Sequence, residues 1–273
     1  DIANTGVEMS LAYNDHVGAV DFESRLVYSR NVNKVKKLVR DYHTGIDNQV
    51  INFTETSAGG GFIREGDSMG DVYITKVLKR DASGNIAVGA DGSLSSMDLP
   101  NGQRLKIGNT NPDFTLGWRN NISWKGLNLS FLINARVGGI VTSATQAVLD
   151  QFGVSKATAD ARDRGYVEVA GGQRVDPQKY YEVVANQQLM GYYYYSATNV
   201  RLQNVSLSYT LPKTLLGQGW PGVTIGLIAN NLWMIYNKAP FDPEVAASTG
   251  TYGQGSDYFS APSLRNIGFS LKL

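Results

Sequence analysis

The chain has no cysteine. That removes disulfides, thiolate metal sites and thiol nucleophiles at once. Histidine is nearly as scarce: His16 and His43 are the two in 273 residues. A histidine-rich metal centre and a nucleophile–histidine–acid set therefore lack parts, and no Gly-x-Ser-x-Gly is present. The reading is of a chain that is not an enzyme. Neither charge dominates, with 25 basic against 24 acidic residues and a net charge of +1, so nothing calls for nucleic acid. No run of about 18 apolar residues exists for a membrane-crossing helix. Membrane-spanning β-strands remain open, because their signal is only a short alternation.

What is present is glycine, at 30, tyrosine, at 15, and a series of period-two runs. Seven such runs are expected as strands at about 7–14, 20–31, 113–124, 127–138, 199–210, 223–231 and 263–273. In the third, Phe114, Leu116, Trp118, Ile122 and Trp124 alternate with Thr115, Gly117, Arg119, Asn121 and Ser123. In the fifth, parity breaks near Gln203-Asn204, which predicts a bulge. Each run approaches the roughly 9–11 residues that cross a bilayer at a tilt.

Short and long connections alternate. The long ones, at about 32–112, 139–198 and 232–262, all fall at one end of an up-and-down sheet, as extracellular loops do in outer-membrane barrels. Arg25, Arg119 and Arg136 lie on the polar faces and suit a wet lumen; the opposite faces suit lipid. Trp118, Trp124, Tyr28, Tyr209 and Trp220 lie toward strand ends, where aromatic girdles form. The fold class is therefore all-β, an antiparallel transmembrane β-barrel segment with long extracellular loops. Seven strands is odd and too few for a single-chain bacterial barrel, so the first strand is expected to pair with polypeptide outside this sequence. The competing architecture is a soluble β-sandwich binding module, which rarely needs three loops of about 30–80 residues at one end.

The loops carry weaker signals. Asp71–Leu78 is expected to pair with Ile86–Val88, and Val141–Arg164 to hold a helix or two. Tyr192, Tyr193, Tyr194 and Tyr195, with Trp233 and Tyr236, are the candidates for contact with a ligand or a lid. Gly59-Gly60-Gly61 reads as a loop tip, and Lys34, Lys36, Lys37 and Arg40 as a solvated or headgroup-facing basic cluster. Asp81, Asn85 and Asp91 hint at calcium, but their spacing misses the EF-hand pattern and reads as turns. No cofactor and no metal is expected.

Several segments together resemble the C-terminal part of SusC-like (SusC/RagA) TonB-dependent transporters of Bacteroidota. They are Asn4-Thr5-Gly6-Val7-Glu8, Ile107-Gly108-Asn109 with Asn111-Pro112-Asp113-Phe114, Val200–Pro212, Asn230-Asn231-Leu232 and Asp242-Pro243-Glu244-Val245. At the end, Asn266, Gly268, Leu271 and Leu273 fit that family's assembly signal. The resemblance implies about seven strands of a 22-stranded barrel in the bacterial outer membrane, in contact with its lipid. It implies TonB-dependent import of oligosaccharides, or alternatively peptides, with a SusD-like surface lipoprotein as lid. It places TonB engagement in a plug region not in this sequence, and it allows a dimer of the transporter–lipoprotein pair.

Overall fold

The computed structural model describes residues 1–43, 50–51, 53–58, 61–216, 222–244 and 255–273. One antiparallel sheet of seven strands dominates. They are β1 (Ile2–Val17), β2 (Val20–Val35), β3 (Phe114–Trp124), β4 (Leu127–Val137), β5 (Asn199–Thr210), β6 (Thr224–Asn237) and β7 (Asn266–Lys272). Each pairs with the next in chain order. β1 and β7 have one neighbour each, so the sheet is an open meander with two free edges.

Alternation and register together sort the side chains. Phe22, Ile122, Leu129, Leu207, Leu227 and Phe269 form one cross-strand row. The neighbouring row, on the other face, is Asp21, Ser123, Asn128, Ser208, Gly226 and Ser270. Among the described residues nothing forms a second layer over the apolar face: Leu207, Leu227 and Phe269 are exposed. A soluble sandwich buries this face, whereas a lipid-facing wall leaves it bare. Aromatic residues on it fall in two bands. Tyr13, Trp124 and Tyr209 lie toward the short turns; Tyr28, packed at a tilt against Phe114 with ring centroids 5.5 Å apart, lies toward the long loops with Trp233 and Tyr236. About eight residues of tilted strand separate the bands, or about 21 Å, near the ~25 Å apolar band of such barrels.

The short turns are built for their geometry. Lys125 (φ 46°) and Gly126 (φ 88°) both adopt positive φ between Trp124 and Leu127, which matches the right-handed twist of a hairpin. The parity break in β5 is a bulge: pairing to β4 shifts between Leu132 and Ile133, leaving Gln203 unpaired.

Several expected boundaries move. β1 and β2 run past 14 and 31 to Val17 and Val35, because the two strands stay paired without a break from Val17–Val20 to Ile2–Val35. β6 runs six residues beyond 231, to Asn237. Asn230-Asn231 resembles a turn in sequence, but Asn231 takes a left-handed φ of 50° inside the strand and pairing resumes beyond it. β7 begins at Asn266 rather than 263, because Ser263 is held elsewhere.

The dry core lies outside the sheet. Leu78, Ile86 and Leu94 from the first long loop pack with Ala147, Val184, Leu189 and Tyr193 from the second. The two loops thus fold as one lobe. It carries helices α1 (Ala144–Gln151), α2 (Lys156–Arg164) and α3 (Pro177–Val184). Ser143, Ser155 and Asp176 cap them by accepting from the backbone N–H of Gln146, Thr158 and Lys179; such caps are favoured because these N–H groups have no partner within the helix. α3 lies beyond the expected helical stretch. The expected loop hairpin is also different: Asp71–Ile74 pairs with Leu105–Asn109 and Lys76–Leu78 with Ser96–Asp98, while Ile86 makes a single bridge to Arg80. Ile86 is drawn away into the lobe core, where its N–H donates to Ala170. Gly59-Gly60, the expected loop tip, and Trp220, an expected girdle residue, lie outside the described residues.

Candidate functional site

The polar face of the sheet is the candidate site. Arg25 and Arg119 are direct cross-strand neighbours, and both are exposed. Two like charges side by side are unfavourable in a dry setting, so this part of the face requires water. Arg25 Nε donates to Ser10 Oγ (3.0 Å), and Asn121 Nδ2 donates to Glu23 Oε2 (2.9 Å). Arg136, nearer the long loops, is partly buried and its Nη2 donates to the Thr110 carbonyl (2.6 Å).

Beside Arg136 stands a residue that sequence reasoning passed over. Arg201 is 4% exposed. Its Nη2 pairs with Asp242 Oδ1 at 2.6 Å, and its Nη1 donates to Ser263 Oγ (3.1 Å) and Asn231 Oδ1 (3.4 Å). Ser263 in turn donates its hydroxyl to Asp242, and Asn231 Nδ2 donates to the Leu264 carbonyl (3.2 Å). Asp242 follows β6 and Ser263-Leu264 precedes β7, so one arginine clasps both ends of the third long loop. Burial alone raises the Asp242 carboxyl, but the hydrogen bonds from Ser263 and Arg201 outweigh it and hold the group below the usual carboxylate range. The signal available in sequence was an arginine inside an otherwise apolar alternation, two residues before a parity break.

The tyrosine run divides. Tyr193 is 3% exposed and its hydroxyl donates to buried Asp150 Oδ2 at 2.9 Å, so it is part of the lobe core, not a ligand contact. Tyr194 and Tyr195 form a short strand on Val141–Thr142, and Tyr195 packs edge-on against Phe241. Burial raises the hydroxyl pKa of all three and pushes Tyr180 beneath them up to about 12. Tyr192 alone of the four is exposed, at 41%. Trp233 and Tyr236 lie within β6 opposite Leu202 and Val200, on the lipid-facing side, not in a loop. Their apolar bodies and polar tips suit the membrane interface.

Other sequence candidates resolve locally. Asp81 Oδ1 accepts from the N–H of Ser83 and Asn85, and Asp91 Oδ1 from Ser93, which is turn capping. Among the described residues no group of three His, Asp or Glu is placed for a metal ion. Arg40 is taken up by Glu65 and the Phe53 carbonyl, while Lys36 and Lys37 stay exposed. Lys106 bridges Asp71 (2.5 Å) and Asp67 (3.5 Å) in a polar cleft of about 460 Å³ beside the upper end of β2. The hydrogen bond to Asp71 raises the Lys106 pKa. Asn266, Gly268 and Leu271 lie in β7, and Leu271 and Leu273 are exposed on its apolar side.

No family model matches the chain. It is 26% identical, over all its length, to a curated protein of Formosa agariphila described as TonB-dependent receptor P3, and it spans 29% of that protein. Among solved structures, the RagAB peptide importer in its closed-closed state matches 99% of this chain and 29% of that one, with TM-score 0.66 and 18% identity. The same importer in its open-open state gives TM-score 0.63 over 99% of this chain and 28% of that one, at 18% identity. At that identity the solved structures establish the fold, and the curated relative carries the sequence link along the whole chain. The chain is thus similar along its whole length to part of a TonB-dependent receptor, and it has the fold of a barrel segment of the RagAB importer.

Proposed function

We propose that this segment supplies wall, lumen surface and mouth to an outer-membrane transporter that imports an oligomeric nutrient by a TonB-dependent route. The observation that carries the reading is the bare apolar face, banded by aromatics and backed by a charged face that requires water. Oligosaccharide is the first substrate class. Peptide is the second, favoured by the description of the similarly folded RagAB as a peptide importer. A SusD-like lipoprotein closes over the mouth, where the lobe and the third loop project. TonB acts through a plug region outside this sequence, and the transporter–lipoprotein pair forms a dimer. The segment performs no catalysis.

The test is uptake by cells carrying the whole transporter. Labelled oligosaccharide and labelled peptide mixtures are supplied with and without an intact TonB system. Accumulation of one class that requires both the transporter and TonB supports the proposal and names the class. Accumulation that is unchanged when the transporter is deleted rejects it.

A further inference from the structure

We propose that Arg136 and Arg201 form a site for an anionic group of a ligand, a carboxylate or a sulfate, and that Glu244 holds the site as an internal stand-in. The two arginines are diagonal neighbours on the polar face: Arg136 is opposite Asn199, and Arg201 is opposite Asn134. Diagonal positions on one face lie within reach of long side chains. Two buried N–H donors on this face have no partner among the described residues: Nε of Arg136 and Nε of Arg201. Arg201 is 4% exposed. Native proteins leave few such atoms unpartnered, and each calls for an explanation.

Charge identifies the missing group. Arg201 pairs tightly with one carboxylate, that of Asp242, whereas the Arg136 guanidinium donates to the neutral Thr110 carbonyl. Glu244 is the other acid in reach, and its hold is loose. Its Oε2 stands 3.7 Å from Arg201 Nη2, beyond hydrogen-bond distance, and its side chain is 39% exposed. A water molecule satisfies an N–H group but leaves the second cation uncompensated. A ligand carboxylate or sulfate both compensates the charge and accepts from the planar guanidinium groups. When Glu244 swings into water, the site opens to the lumen. The proposal rests on the import reading only in making this face the ligand's route.

The experiment uses the purified full-length transporter. Sodium acetate and sodium sulfate are titrated by calorimetry against sodium chloride at matched ionic strength. The proteins are the parent, Glu244→Gln, Arg136→Met and the double variant. Arg136→Met leaves the Arg201–Asp242 pair in place, and heat-modifiable gel mobility confirms a folded barrel. Removing the competing like charge tightens anion binding about tenfold in Glu244→Gln, and the gain disappears in the double variant. The acetate and sulfate arms distinguish a carboxylate ligand from a sulfated one. Binding of neither anion, or a gain that persists without Arg136, overturns the proposal. Uptake by the parent transporter is a separate measurement, so failure here leaves the import reading standing.

Discussion

Replacing Asp242 with alanine probes the clasp directly. The side chains of Arg201 and Asp242 are 5% and 10% exposed, so the change strands a buried guanidinium. Breaking a buried pair on one side costs about 3–5 kcal/mol. Glu244, already near Arg201, recovers part of that cost. Because the clasp holds the base of the third long loop and not the ladder, the loss appears as local opening of residues 238–265. A net loss of about 3 kcal/mol raises the open population on the order of a hundredfold. Hydrogen exchange at the Ser263 amide, which donates to Asp242 Oδ2, reads this against unchanged exchange in β4. The pH dependence follows from the depressed Asp242 carboxyl. A group whose folded pKa is lowered contributes fully above its unfolded value, near 3.9, and loses that contribution as pH falls through the folded pKa. The loop therefore loosens below about pH 4 and not between pH 5 and 8. Unchanged exchange in Asp242→Ala, or loosening near pH 6, refutes the clasp.

Three further perturbations follow from the faces and the lobe. Tyr193→Phe removes the hydroxyl donor to Asp150, which keeps its bond from Gln146 Nε2; the lobe loses about 1–2 kcal/mol, read as faster proteolysis between α1 and α3. Asn120 is buried on the apolar face between Ser24 and Phe131 with an unpartnered Nδ2. Asn120→Leu removes that orphan donor and stabilises the fold by about 1–3 kcal/mol, read as a higher urea midpoint; a lower midpoint contradicts the placement. Leu227→Asp puts a charge on the lipid-facing row and lowers barrel levels in membranes, at a cost up to about 2 kcal/mol. Ser208→Asp, one residue away on the wet row, leaves levels unchanged; equal losses from both contradict the assignment of faces.

Period-two alternation is a physical signature wherever one side of a strand meets lipid and the other water. That is why β3, β4 and β5 were legible to within a residue of their ends. The signal stops where the constraint stops. β1 and β2 continue past their alternating stretches, and the alternation marks neither Val17, at the short turn, nor Val35, at the long-loop end, as their ends. In β6 the left-handed Asn231 hides the continuation of the strand, and with it the lipid-side position of Trp233 and Tyr236. The clasp was illegible because it joins Arg201, Asp242 and Ser263 across a bulge that resets parity. The lobe core was illegible for a similar reason: Leu78 and Tyr193 come from different loops, and no local pattern records that they meet. Tyr193 shows the consequence, since in the sequence it is indistinguishable from exposed Tyr192.

The most direct test of the barrel reading uses the absence of cysteine in this chain. Single cysteines are placed at Leu129, Leu207, Leu227 and Phe269, and separately at Asn128, Ser208, Gly226 and Ser270, the two adjoining rows of the sheet. Each is carried by the full-length protein, with any cysteine outside this chain replaced by serine, in native membranes and treated with a water-soluble thiol reagent and a lipid-soluble one. Labelling of the first row by the lipid-soluble reagent alone, and of the second by the water-soluble reagent, is the predicted result. Equal labelling of both rows by the water-soluble reagent contradicts it.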